Sequence, residues 1–253
     1  MQNKKVALVT GGGAGIGRSV AMAFSKAMIR VAVVDIQVEE GKKTVEMIRS
    51  RGGEAFFIKA DVTNQDDARN MVEKTVKIFG RLDHAFNNTN FAESQSVSWK
   101  MKSVNLDYVI GMNLIGIWLC MKYEVIEMLK NKQGSIVNLA SITAKTGFLN
   151  NSIYMQAVNT WTKTAALEYT TYGLRVNAVC ADLDCAEAID TSMTGERENT
   201  IPVTNSRLFG SMQTAEQIAS AVIWLSSDSA SLITGYPLVL DHSSLIREYS
   251  ESG

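Results

Sequence analysis

The run Thr10-Gly11-Gly12-Gly13-Ala14-Gly15-Ile16-Gly17 follows directly on the apolar stretch Val6–Val9, and Asp35 closes the next apolar stretch, Val31–Asp35. These residue types in this order suit a dinucleotide. Glycines let backbone N–H groups approach a pyrophosphate, and a helix starting within the run turns the positive end of its dipole toward the same anion. A carboxylate roughly 20 residues further on accepts both hydroxyls of an adenosine ribose, and Asp35 stands 18 residues after Gly17. Tight strand–helix turns also use glycine for structure alone, so the reading rests on the strand context and Asp35 together. Gly11, Gly15, Ile16, Gly17 and Asp35 are the candidate contacts.

The elements that must position them alternate along the chain. Candidate strands are Val6–Val9, Val31–Asp35, Ala55–Ile58, Leu82–Asn87, Ser135–Leu139, Arg175–Val179 and Leu238–Asp241. Helical periodicity falls near Ile16–Met28, Val38–Arg51, Gln65–Phe79, Val104–Lys130, Tyr154–Tyr172 and Thr214–Ser227. Such alternation predicts an α/β fold, a mostly parallel sheet doubly wound by helices on both faces. No linker or repeat interrupts it, so residues 1–253 read as a single domain. The irregular stretch 181–211 reads as a loop at a substrate site. Ligands in open α/β sheets sit beyond the carboxyl ends of the strands, which nominates Asp61, Asn87–Asn90, Ser141 and Ala181–Thr191 in addition. Asn and Ser also favour turns for their own local hydrogen bonds.

Bulk properties exclude several classes. Lys plus Arg number 25 against 26 Asp plus Glu, which leaves neither a nucleic-acid footprint nor a polybasic membrane anchor. Only Val6-Ala7-Leu8-Val9 separates Lys4-Lys5 from the glycines, too short for a secretory signal. The longest apolar run, Val109–Met121, is broken by Asn113 and falls short of a membrane span. Cys120, Cys180 and Cys185 make an odd count without metal-ligand spacing, so no metal site is expected and reduced thiols fit. A soluble cytoplasmic protein is the expectation.

Taken together, the motifs resemble the short-chain dehydrogenase/reductase family over essentially the whole chain. The Thr-Gly-x-x-x-Gly-x-Gly pattern matches at Thr10, Gly11, Gly15 and Gly17, Asp61-Val62 matches the pair that contacts adenine, and Asn87-Asn88 the start of Asn-Asn-Ala-Gly. Asn113 matches the helix asparagine of the catalytic tetrad, and Ser141 and Tyr154 keep the 13-residue separation of catalytic serine and tyrosine. Thr164-Ala165-Ala166-Leu167-Glu168 and Arg175-Val176-Asn177-Ala178-Val179 are further family-like blocks. The resemblance implies a seven-stranded Rossmann fold and hydride transfer between NAD(H) and a small-molecule alcohol or ketone. Asp35 would favour NAD over NADP by repelling a 2′-phosphate. Tyr154 would pass the proton, Ser141 hold the substrate oxygen, Asn113 organise a water relay and Thr191 hold the carboxamide. The resemblance also implies a homo-oligomer, tetramer or dimer, joined through the Val104–Lys130 and Tyr154–Tyr172 helices.

The chain departs from the family where proton transfer is done. The family's lysine, four residues after the tyrosine, lowers the tyrosine pKa and grips the nicotinamide ribose; here Val158 stands there. Matching the later block Thr162-Lys163-Thr164 to the family leaves about three residues missing after Tyr154, a turn through about 300° and a rise of about 4.5 Å. Lys163 is about 13 Å further along a helix and cannot stand in; Lys145 is a more reachable substitute. An unperturbed tyrosine, with pKa near 10, is about one part in a thousand ionised at pH 7, and general acid–base catalysis contributes about 10²–10⁴-fold. Thr89-Asn90 replace Ala-Gly, Ala181-Asp182 replace Pro-Gly, an acidic insertion precedes Ile189-Asp190-Thr191, and His242-Ser243 replace glycines. Three functions stay open: an atypical NAD-dependent oxidoreductase, a catalytically silent NAD-binding or scaffold protein, and a lyase or isomerase in the altered pocket. In the silent case Tyr154 is a helix-start aromatic packed on the core.

Overall fold

The computed structural model describes residues 4–88, 107, 110–141, 149–181 and 214–240, with the backbone alone at 113, 141 and 149–155. The chain runs β1 (Val6–Thr10), α1 (Gly15–Lys26), β2 (Arg30–Asp35), α2 (Val38–Ser50), β3 (Ala55–Lys59), α3 (Gln65–Phe79) and β4 (His84–Asn87). A π-helical segment, Gly111–Gly116, leads into α4 (Ile117–Asn131), followed by β5 (Gly134–Ser141), α5 (Leu149–Tyr169), β6 (Leu174–Ala181), α6 (Ala215–Ser226) and β7 (Pro237–Leu240). The seven strands form one parallel sheet in the order β3-β2-β1-β4-β5-β6-β7. This is the doubly wound Rossmann architecture that the alternation implies.

Parallel strands covered on both faces must be apolar in both directions, and β1 is buried at all five positions. Leu8, Ala32, Val34 and Ile58 belong to a core with Met71, Ile117, Met128 and Val158, under α3, α4 and α5. Ala7, Val9, Val31 and Val33 belong to the opposite core with Val20, Phe24, Ile48 and Val222, under α1, α2 and α6. After β3 the chain returns to place β4 on the other side of β1. That reversal opens a crevice at the carboxyl ends of β1 and β4, where such sheets take their ligands.

Two elements differ from the sequence expectation. The helix expected as one regular piece from Val104 to Lys130 contains the π segment Gly111–Gly116 before α4. The helix expected from Tyr154 starts five residues earlier, at Leu149, so Tyr154 lies inside α5 and does not begin it. The α3 bounds agree with expectation for visible reasons: the Asn64 side chain accepts from the Asp66 and Asp67 N–H groups, and Gly80, at φ 84°, ends the helix.

Helix α1 ends in a Schellman turn. Ile29 N–H donates to Phe24 O at 3.1 Å and Met28 N–H to Ser25 O at 2.9 Å, with Met28 at φ 64°. This position favours glycine, and the Met28 side chain is two-thirds exposed and contributes little packing. Met28→Gly is expected to raise stability by about 1 kcal/mol, read as a higher urea midpoint at unchanged slope; an unchanged or lower midpoint contradicts the strain.

Candidate cofactor and catalytic site

The glycine-rich turn is closed by contacts that exclude larger residues. A Cβ on Gly17 would be driven into Gly11 O, and one on Gly11, whose φ is 57°, would sit 2.6 Å from Asn88 O and Nδ2. Helix α1 therefore approaches the ends of β1 and β4 at backbone contact. Thr10 fixes the turn from below: its hydroxyl accepts from Asn88 N–H at 2.9 Å, and Asn88 Nδ2 donates to Gly11 O at 3.2 Å. The N-cap of α1 is Ala14, which offers no side-chain acceptor, and no acidic residue stands in the first turn. By contrast α3 is capped by Asn64, and α6 by a Thr214–Gln217 capping box. An uncapped helix start behind a glycine turn fits a pyrophosphate.

This turn forms one wall of a cavity of about 590 Å³ lined by Gly11, Gly13, Ala14, Asp35, Asp61, Val62, Asn88, Asp107, Gly111 and Met112, among others. Asp35 Oδ2 accepts from Gly13 N–H at 2.8 Å and Oδ1 from Gln37 N–H at 2.9 Å. The carboxylate is thereby fixed in the rim, and each oxygen has further lone-pair capacity for a ribose hydroxyl. Asp61 Oδ1 accepts from Thr63 N–H and Oγ1 at 2.9 and 2.7 Å. A Cβ at Gly116 would lie 3.0 Å from Val62 Cγ2, so glycine at the end of the π segment lets that segment close on the Asp61-Val62 end of the cavity.

Gly11, Asp35, Asp61 and Val62 are thus brought together as the sequence suggests. Gly15 and Gly17 shape the turn, while Ile16 is buried in the core. Asn87, chosen from sequence as a cofactor contact, is instead a core residue. Its Nδ2 donates to Glu124 Oε2 at 2.9 Å and to Asn138 Oδ1 at 3.0 Å; the cavity residue is its neighbour Asn88. Among the catalytic candidates, Asn113 lies on the π segment and Ser141 is the last residue of β5, paired with Ala181. Tyr154 lies on α5, one turn before Val158. Val158 is 0% exposed, part of the core beneath α5. Lys163 is exposed, with its Cα beside Gly235. Thr191, Thr89-Asn90, Lys145 and the acidic insertion lie outside the described residues.

Beneath the site runs a polar chain not anticipated from sequence. Asn138 Nδ2 donates to Thr162 Oγ1 at 3.0 Å and to Met121 Sδ at 3.1 Å, completing a link from α4 through β4 and β5 to α5. Glu124 could have been noticed because it continues the buried stripe of Ile117, Cys120, Met121 and Met128 at helical spacing. Burial pushes the Glu124 carboxyl up to about 8, against a smaller lowering by the Asn87 N–H. Glu124 Oε1 and Asn87 Oδ1 have no hydrogen-bond partner among the described residues.

The comparisons with known proteins agree with this geometry. A family model described as "Enoyl-(Acyl carrier protein) reductase" matches residues 11–242. The short-chain dehydrogenase/reductase astE of Aspergillus oryzae is 35% identical over 247 residues, covering 94% of this chain and 93% of that protein. Cyclohexanol dehydrogenase of Acinetobacter sp. is 36% identical over 242 residues, covering 94% of each. Among solved structures, NAD⁺-bound xylitol dehydrogenase superposes with a TM-score of 0.84 at 25% identity, covering 94% of this chain and 98% of that one. Fold and strand order define a protein of the doubly wound Rossmann class. The chain belongs to the short-chain dehydrogenase/reductase family, a family of oxidoreductases.

The raised Glu124 pKa has a signed consequence. Between about 4.5 and about 8 the unfolded chain ionises Glu124 while the folded protein keeps it protonated, so the unfolded state binds fewer protons and stability falls as pH rises. The expected slope from this group is up to about 1.4 kcal/mol per pH unit. In Glu124→Gln this component disappears, so the difference in urea-unfolding free energy between variant and parent should change across the window. A pH-independent difference would show that Glu124 is already ionised.

Proposed function

We propose that the protein binds NAD(H) and transfers hydride between the nicotinamide and a small alcohol or ketone, with atypical proton transfer. The observation that carries the cofactor choice is Asp35: it lines the cavity with both oxygens aligned by backbone N–H groups of Gly13 and Gln37. A 2′-hydroxyl donates to such a carboxylate, whereas a 2′-phosphate is repelled. When bound, NAD(H) supplies or accepts the hydride. Gly11 and the start of α1 hold the pyrophosphate, Asp61 and Val62 bound the adenine, and Thr191 holds the carboxamide. Ser141 orients the substrate oxygen, Tyr154 moves its proton, and Asn113 supports the relay. Cyclohexanol dehydrogenase and xylitol dehydrogenase among the similar proteins support an alcohol or ketone substrate.

A second reading, a catalytically silent NAD-binding scaffold, is favoured by Val158. Its burial in the core means that an aliphatic side chain fills the position where the family's lysine follows the tyrosine. This second reading allows NAD(H) binding or none, and predicts no turnover in either case. We also propose a homo-oligomer, dimer or tetramer, joined through α4 and α5. Trp118 and Ile126 of α4 and Leu167 of α5 are exposed, and a groove of about 420 Å³ lies between the two helices.

Calorimetric titration is expected to show NAD⁺ and NADH binding, weakened about 10- to 100-fold in Asp35→Ala; no binding to the parent protein overturns the oxidoreductase reading and leaves the silent scaffold. In an alcohol and ketone panel followed by NADH absorbance, Tyr154→Phe should lower turnover by about 10²–10⁴-fold. NAD binding without turnover on any substrate favours the scaffold. Light scattering should give a multiple of the chain mass, and a stable monomer removes the oligomer.

A further inference from the structure

Behind the rim of the Asp35 cavity stands a cation that is bonded to the glycine turn and held by a carboxylate. Arg18, in the first turn of α1, is bonded through Nη2 to Gly13 O and to Glu40 Oε2, the latter at 2.5 Å, and its Nε donates to Thr44 Oγ1 at 3.0 Å. The single proton of the Thr44 hydroxyl has two acceptors within reach, Glu40 O at 3.2 Å and Gly13 O at 3.3 Å. Gly13 is the residue whose N–H the Asp35 carboxylate accepts. Gly13, Asp35 and Glu40 all line the cavity, and Arg18 touches the first and the last of them. The guanidinium therefore stands one side chain behind the edge at which Asp35 would receive the ribose.

We propose that Arg18 is a latent 2′-phosphate-binding residue, and that Glu40 is a specificity-determining residue that keeps it from that role. The inference rests on the proposed dinucleotide reading and goes beyond it by assigning cofactor choice to a second carboxylate. A 2′-phosphate carries a charge of roughly −1.5 to −2 at neutral pH. It would meet Asp35 and Glu40 together, while the one guanidinium at this edge among the described residues is already engaged by Glu40. Glu40 thus acts twice: its charge repels the phosphate, and its bond to Nη2 occupies the group that would attract it. Guanidinium pairs bidentately with phosphate as well as with carboxylate, so Arg18 needs only a free Nη edge to change partners. Gly13 O and Thr44 Oγ1 remain to steer it once Glu40 is neutral.

The test is calorimetric titration of NADP⁺ and NAD⁺ into Asp35→Ala, Asp35→Ala/Glu40→Gln, and the latter with Arg18→Met added, with thermal melting to confirm that each variant is folded. The double variant should bind NADP⁺ about 10- to 100-fold more tightly than Asp35→Ala. The gain should be lost on adding Arg18→Met, should shrink as salt is raised, and should be absent for NAD⁺. A gain that survives Arg18→Met would mean that Glu40 acts without Arg18, by repulsion or by holding Lys43, whose Nζ lies 4.0 Å from its Oε2, and overturns the role given to Arg18. No gain overturns the proposal entirely. If Arg18→Met does not fold, Arg18→Gln serves the same comparison. Because NADP⁺ is titrated into the variants, this outcome is separate from whether the parent protein binds NAD⁺ or turns over any alcohol.

Discussion

Asn138 is paired directly with Asn87 across β4 and β5, and between them they use three amide hydrogen bonds to reach Glu124 on α4 and Thr162 on α5. All four side chains are essentially buried. A buried amide left without partners costs about 1–3 kcal/mol, so rotation of α4 or α5 about its axis would break bonds that the interior cannot replace. This chain is what orients both helices on the catalytic face. Helix α5 is fixed from Val158 onward by the Thr162 bond and by burial of Val158, Ala165 and Ala166. If the chain lacks residues relative to its family, as the sequence comparison suggests, they would then have to be absorbed before Val158, in the turn that carries Tyr154.

Much of the fold was legible because the sheet is parallel and enclosed. Strands such as Val31–Val34 could be nothing but buried, and α3 carries its own start signal in Asn64 and stop signal in Gly80. The π segment was not legible, since one extra residue per turn leaves no trace in composition or period. The early start of α5 was hidden by Asn150, Asn151 and Ser152, residue types that favour caps and turns over helix interiors. At the site, Asp35, Asp61 and Val62 could be found from spacing and motif. Asn87 and Asn88 could not be told apart, because β4 is buried at all four positions and shows no alternation from which to read its faces. Arg18 and Glu40 were missed for a different reason: they are 22 residues apart and meet only when α1 and α2 pack on the same face.

Conservation of family-like residues is uneven along the crevice. The adenosine side keeps the glycine turn, Asp35 and the Asp61-Val62 pair, and the structure joins them into one cavity. In the sequence a valine stands where the family resemblance leads one to expect a lysine, and further departures fall at Thr89-Asn90 and Ala181-Asp182. Under the proposed function, cofactor affinity and proton transfer would therefore be separable: the first would depend on backbone geometry around Gly11 and Gly17, the second on the part of α5 that carries Tyr154 and Val158.

The strand order also bears on how the molecule is made. β1, β2 and β3 are contiguous in sequence and adjacent in the sheet, complete by Lys59, whereas β1 gains its other neighbour only when His84–Asn87 arrives. During synthesis from the amino end, the glycine turn and its acidic rim are present long before β5, β6 and β7 emerge. Until then the β4-facing edge of β1 lies open with its backbone N–H and C=O groups unpaired, and unpaired strand edges invite aggregation. Slow translation between residues 59 and 84 would prolong that exposed state, so the codons of this interval bear on yield without altering a single contact of the finished protein.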